Sequence, residues 1–215
     1  MSFYMFDDLC EIRTMCERDP NAQYVSKWSE GIAIGRKNGE PDRCPLCGKP
    51  ISLLKWLPPR EIGLTNTRFP DRIDCWLNER LVVSERFVKC YFEEGLTGIT
   101  LFEPLCVVKV SHNRRNEMPP KYYTANIPYS SIIRIDKKAT LTHGVPRGQC
   151  DLCNPMGLNA SNPPDKLCLD TSSWDGTSIV YVYSVGVVMS QEFHDFVSKN
   201  HLTNFPFKPV ESRPV

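Results

Sequence analysis

The chain has 215 residues, 24% of them charged and 41% hydrophobic, and a formal net charge of +1. Charges of both signs are interspersed, which argues against non-specific binding to nucleic acid or to a membrane surface. No run of 18 or more apolar residues predicts a transmembrane helix, and the acidic start predicts no secretion signal. The expected location is therefore the cytoplasm, where thiols stay reduced.

The first 35 residues predict a short strand over 2–6, polar turns and a second short strand. Cys44-Pro45-Leu46-Cys47-Gly48 follows, a pair of cysteines three positions apart in a tight turn. Two thiolates so placed point at one ion, and the turn aims backbone N–H groups at the sulfurs. Gly48 suits a left-handed backbone after the second cysteine. Trp56 is expected to pack over this knuckle as an apolar lid, with Pro58 and Pro59 in an irregular stretch.

A β-branched run at 81–83 ends on Ser84, which is suited to cap a helix. Phe87, Cys90 and Tyr91 fall at i, i+3 and i+4, so a helix with one buried stripe is expected, ending at Gly95 in the left-handed conformation. Strands are expected over 98–102, 105–110, 122–127 and 131–135. The polar loop 111–120 carries His112, Arg114 and Arg115 and reads as a solvated hairpin tip rather than a nucleic-acid contact.

Cys150-Asp151-Leu152-Cys153 is a second knuckle, 106 residues after the first. Asn154 occupies the place of Gly48, and asparagine tolerates the left-handed region. The same displacement aligns 38–101 with 144–207 without a gap and gives 11 identities, where chance gives about four. They include both cysteines of each pair, Ser84/Ser190, Phe87/Phe193, Leu96/Leu202 and Thr97/Thr203. A second capped helix is expected after Ser190, with Phe193, Phe196 and Val197 as its stripe and an exit near Asn200. Trp174-Asp175-Gly176 reads as a turn, and the tail from Pro209 as frayed.

These patterns predict an α+β protein made of two tandem-repeat halves, 1–106 and 107–215. Each half has mainly antiparallel strands and one helix, and the halves join at a zinc-ribbon-like pair of knuckles in one compact unit. Tetrahedral zinc needs four ligands and each knuckle offers two. No cysteine or histidine elsewhere recurs at the displacement, so one shared site of Cys44, Cys47, Cys150 and Cys153 is the simplest arrangement. The ligand set is zinc's first, although iron accepts the same four sulfurs. A thiol–disulfide active site would sit at a helix N-terminus in a thioredoxin-like unit, which neither knuckle offers. His112, His143, His194 and His201 are scattered, His194 reads as a solvated surface residue, and no nucleotide-binding or nucleophile motif appears. The chain is not expected to be an enzyme.

With the repeat and both knuckles in view, the chain resembles the bacterial double-CXXCG motif proteins. The resemblance runs nearly the full length, through Met1–Tyr4, both knuckles, Leu169-Asp170, Trp174–Gly176 and the closing Ser-x-x-Phe…Leu-Thr segment. Asn154 departs from that pattern, which has glycine there. The resemblance implies an immunity protein, encoded beside a polymorphic or contact-delivered toxin, which binds and neutralises that cognate toxin by stoichiometric occlusion. A zinc-ribbon nucleic-acid-binding or regulatory adaptor is the rival expectation.

Overall fold

The computed structural model describes residues 1–6, 31–34, 37–52, 55–65, 68–73, 81–111, 117–140, 149–154, 156–157, 166–183 and 185–214. Cys10, Cys16, Cys75, His112, His143, Arg114 and Arg115 lie outside them. In chain order the strands and helices are β1 (Phe3–Phe6), β2 (Gly31–Ile34), β3 (Lys37–Asn38), β4 (Trp56–Leu57), β5 (Glu61–Leu64), β6 (Arg72–Ile73), β7 (Leu81–Ser84), α1 (Glu85–Glu93), β8 (Leu101–Val110) and β9 (Tyr122–Asn126). Then come β10 (Arg134–Ile135), β11 (Cys168–Asp170), β12 (Ile179–Val182), β13 (Gly186–Ser190), α2 (Gln191–Lys199) and β14 (Phe207–Arg213). Among the described residues the fold is α+β, mostly strand with two helices, and neither of these helices is long and apolar enough to cross a membrane.

Two six-stranded sheets carry the architecture, in the orders β2-β5-β8-β9-β7-β6 and β10-β11-β14-β1-β13-β12. Taken position by position, the two orders have the same pairing senses. The second pair is parallel (β5 with β8, β11 with β14) and the other four are antiparallel. The register agrees too, with Tyr122 opposite Ser84 in one sheet and Phe3 opposite Ser190 in the other. The place that β9 fills in the first sheet is filled in the second by β1, from the opposite end of the chain. The expected boundary between 1–106 and 107–215 falls inside β8, so a cut there would divide a strand.

The strands leading into the helices are buried on both faces, so they read as continuous apolar runs without alternation. Leu81 and Val83 face one core and Val82 another; likewise Val187 and Met189 face the first core and Val188 a third. That shared first core lies between the sheets and holds both helical stripes. The Phe87 ring lies 6.2 Å from Phe193 and 5.6 Å from Phe196.

Each helix begins where the sequence requires. The Ser84 hydroxyl accepts from the Phe87 N–H at 3.2 Å, and the Ser190 hydroxyl from the Phe193 N–H at 3.3 Å. Each helix also ends alike: the Leu96 N–H donates to the Tyr91 carbonyl and the Leu202 N–H to the Val197 carbonyl. The first exit uses Gly95 at φ +68° as expected. The second helix ends at Asn200 as expected, but Asn200 has φ −89° and is not the left-handed residue. His201 takes the left-handed position at φ +49°, because the exit needs that conformation one residue after the last turn.

The Leu-Thr pair after each helix reaches across to the other sheet. The Thr203 N–H and hydroxyl donate to the Asp71 carboxylate at 2.9 and 3.0 Å, and the Asp71 N–H donates to the Thr203 hydroxyl. At the opposite contact, the Thr97 N–H donates to the Ser178 hydroxyl at 3.2 Å and the Ser178 N–H to the Thr97 hydroxyl at 3.3 Å. Gly98 is tied to the same contact, since a Cβ there would lie 1.9 Å from the Ile179 carbonyl oxygen.

Beyond the second helix exit, four expectations fail here; the strand expected over 131–135 is reduced to Arg134–Ile135. The tail from Pro209 is not frayed: β14 pairs with β1 and β11, with Pro209 opposite Tyr4. A proline fits a strand where its missing N–H has no ladder acceptor to meet. The expected strands 98–102 and 105–110 are one strand, β8, with Pro104 inside it. Trp56 is no lid over the knuckle. It is 1% exposed in the core of the first sheet, against Ile62, Ile73 and Val82, where its large apolar surface is fully removed from water.

Candidate metal centre

The first knuckle sits at the tip of a two-stranded arm. β3 pairs with β4, and the ladder continues upward through Gly39 N–H to Lys55 carbonyl, Ile51 N–H to Asp42 carbonyl and the Arg43–Pro50 bridge. At the tip the Cys44 N–H donates to the Lys49 carbonyl and the Gly48 N–H to the Cys44 carbonyl, both at 2.8 Å. Gly48 has φ +71° and a side chain would meet nothing there, so its role is conformational.

The second knuckle closes one residue sooner. Cys150 and Asn154 exchange both backbone hydrogen bonds, at 3.0 and 2.9 Å. Asn154 is buried and does not take the expected left-handed conformation. The bridge supplies the closure that Gly48 and Lys49 provide in the first knuckle. The two turns therefore present their sulfurs alike with different backbones behind them.

All four sulfurs lie within 4.8 Å of one another. Cys44 Sγ is 3.8 Å from Cys150 Sγ, and Cys47 Sγ is 3.6 Å from Cys153 Sγ. A tetrahedron with metal–sulfur distances of about 2.3 Å has edges of about 3.8 Å. A disulfide requires about 2.05 Å, so these are separate thiol groups. Each close approach joins a cysteine to its own equivalent 106 residues on, which is the pattern of a two-fold, self-complementary contact. Cys44, Cys150 and Cys153 are buried and Cys47 is exposed. The four-cysteine group has the donor set and the spacing to hold a metal such as zinc.

The surroundings fit such a group. Ile51, Tyr129 and Tyr183 pack against the buried sulfurs, and the Tyr129 hydroxyl donates to the Leu152 carbonyl at 3.4 Å. Backbone N–H groups of Cys153 and Leu152 directed at the Cys150 sulfur bring its pKa down to about 6. Burial pushes the Cys153 thiol up, and the three neighbouring sulfurs push it further. Burial likewise raises both tyrosines, with the cysteines' negative charge adding to it. Four sulfurs cannot all ionise so close together without a cation, whose charge reverses that balance. Sequence reasoning missed Tyr129 and Tyr183, which belong to no periodic pattern.

The other candidates separate from this cluster. Cys168 is buried on β11, Cys90 half-buried on α1 and Cys106 exposed on β8. His194 is not a freely solvated residue. Its ring stacks on Tyr4 at 4.5 Å and lies 5.1 Å from Phe207, because β1 runs beside α2. Trp174–Gly176 forms the expected turn, in which Asp175 accepts from the Thr177 N–H at 3.0 Å and Gly176 has φ +97°. No protein-family model matches the chain, and no curated protein matches its sequence.

Proposed function

We propose that this chain is a zinc-clamped immunity protein that binds a cognate bacterial toxin and neutralises it by occlusion. The observation that supports the metal is the placement of four sulfurs at tetrahedral spacing, drawn equally from two knuckles 106 residues apart. In this reading Cys44, Cys47, Cys150 and Cys153 are the ligands, and the chain is two repeat halves clamped at their knuckles. Zinc supplies a cross-link and no reaction. Tyr129 and Tyr183 shield three of the sulfurs, and the knuckle N–H groups share their charge. The partner rests on the resemblance to double-CXXCG proteins, and neutralisation in this reading requires no catalysis by the chain.

Elemental analysis of the purified protein should return one zinc per chain. Co-expression with the product of a toxin gene beside its own should yield a one-to-one complex. A Cys44→Ser/Cys150→Ser chain that has lost its metal yet stays folded and fully protective would overturn the clamp. A salt-dependent shift of DNA or RNA on a gel, with no toxin bound, would favour the adaptor instead.

A further inference from the structure

We propose that the four-cysteine centre is also a peroxide-sensitive switch, in which oxidation joins Cys47 to Cys153 and expels the metal. The metal-release half rests on the zinc reading above; the choice of sulfurs rests on their placement alone. Susceptibility to oxidation follows thiolate character and exposure; a bound divalent cation would hold all four sulfurs as thiolates, which leaves exposure to choose among them, and only Cys47 belongs to an exposed residue. Its hydrogen-bonding neighbour across the knuckles is Cys153 at 3.6 Å, buried beside Tyr129 and Tyr183. A hydroperoxide therefore meets Cys47 first, and the sulfur best placed to resolve the product lies on the other knuckle.

The chemistry balances in two steps. The Cys47 thiolate attacks one peroxide oxygen; the O–O bond breaks, a sulfenic acid forms and alkoxide or hydroxide leaves. The Cys153 thiolate then attacks the Cys47 sulfur; the S–S bond forms, the S–O bond breaks and hydroxide leaves. The peroxide takes up two electrons and the two sulfurs give them up. Two of four ligands are then gone and a divalent cation is released.

The consequence differs from that of an ordinary zinc ribbon, in which oxidation within a knuckle would free the two arms from each other. Here the new bond runs between the knuckles, across 106 residues of chain, so the clamp changes from ionic to covalent and the halves stay joined. Cys44 and Cys150, 3.8 Å apart, are left to form a second bridge in the same sense.

The test is to titrate the purified protein with hydrogen peroxide, following zinc with a chromophoric chelator and mapping disulfides by peptide mass spectrometry. The expected result is stoichiometric zinc release together with a Cys47–Cys153 disulfide, both reversed by dithiothreitol and zinc. A protein that starts without zinc yet forms this disulfide supports the switch and removes the metal reading. Zinc retained with all four thiols intact overturns the switch and leaves the metal reading standing. First bridges within a knuckle, Cys44–Cys47 or Cys150–Cys153, overturn the assignment. A Cys106→Ser chain, lacking an exposed thiol outside the cluster, should respond as the parent does; loss of response would also overturn it.

Discussion

The two sheets have one strand order and one set of pairing senses, but they are completed differently. The first closes on β9, which follows its neighbour β8 in the chain, and the second closes on β1, from the other end of the sequence. A local connection and a closure over about the whole chain thus reach the same pairing. Identical architecture does not imply identical dependence on sequence neighbours, and substitutions at equivalent positions measure the difference.

The largest effect is expected at the knuckles, where the two cysteine pairs should behave as one. If a single ion is shared, Cys44→Ser and Cys150→Ser each reduce bound zinc from one per chain to none, with equal losses of thermal stability. Structural zinc sites contribute on the order of 10 kcal/mol in small domains, so no other single substitution should match these. Independent sites would instead leave half of the metal bound in each variant. Elemental analysis and a melting curve of both variants separate the two cases.

Closure of the second sheet is the next target. Phe3 is 2% exposed, packs against Leu169, Val180 and Val188, and meets the Trp174 ring edge-on at 5.5 Å. Phe3→Ala should cost about 3–5 kcal/mol in a denaturant titration. Its counterpart Tyr122 is buried with its hydroxyl donating to the Pro70 carbonyl at 2.9 Å. Tyr122→Phe should cost only about 1 kcal/mol. Amide exchange should show the Phe3→Ala loss concentrated in β13 and β14, the neighbours of β1. A loss spread evenly over both sheets would mean that they unfold as one unit.

What the sequence made legible follows the range of the interactions involved. The helix starts are written in a serine and the phenylalanine three residues later, and the knuckles in four cysteines. Both are local patterns, and both stand where expected. The meeting of the knuckles was legible only because the repeat left no second ligand set. Strand order was not legible. Nothing near Phe3 marks it as the partner of Ser190 and Val210, and the alternation that would flag β7 or β13 is absent because both faces are buried. Pro209 argued for a tail because a proline's cost in a strand depends on which N–H the ladder needs, which one sequence cannot show. Thr97 and Thr203 were visible as a repeated pair, but their use as a clasp between the sheets was not.

That clasp sets threonine against a carboxylate on one side and against a serine hydroxyl on the other. Burial alone would raise the pKa of Asp71, but hydrogen bonds from Arg86, Ser84 and Thr203 overcome this and bring it to about 2 from 3.8. A carboxylate held below its unfolded value contributes stability that is complete above that value and is lost as pH falls through the folded one. The contribution is about 2 kcal/mol, and its loss should run from about pH 4 down to about pH 2. Asp71→Asn removes this acid dependence and costs about 2–3 kcal/mol at neutral pH, because Arg86 loses its carboxylate partner. At the Thr97–Ser178 contact, the Ser178 hydroxyl accepts from Thr97 and donates to Glu192. Ser178→Ala should cost about 1 kcal/mol with the acid transition unchanged. Parallel acid titrations of the parent and both variants make the comparison, and an unaltered acid limb in Asp71→Asn would remove Asp71 as its source.

The smallest expected effect has the opposite sign. Gly95 and His201 leave their helices at the same step, both with positive φ, but only Gly95 occupies that region without steric cost. The His201 side chain is exposed, and the residue serves the fold through its backbone: its carbonyl accepts from the Arg86 guanidinium at 2.9 Å and its N–H donates to the Ser198 carbonyl. A glycine at 201 keeps both bonds and relieves the left-handed strain, at some cost in unfolded-chain entropy. His201→Gly should therefore stabilise the protein by about 0.5 kcal/mol, whereas Gly95→Ala should destabilise it by about 1 kcal/mol. Paired denaturant midpoints test the sign. Destabilisation by His201→Gly would mean that the imidazole contributes more to the folded state than relief of its backbone returns, and the two exits would then be equivalent in geometry but not in energetics.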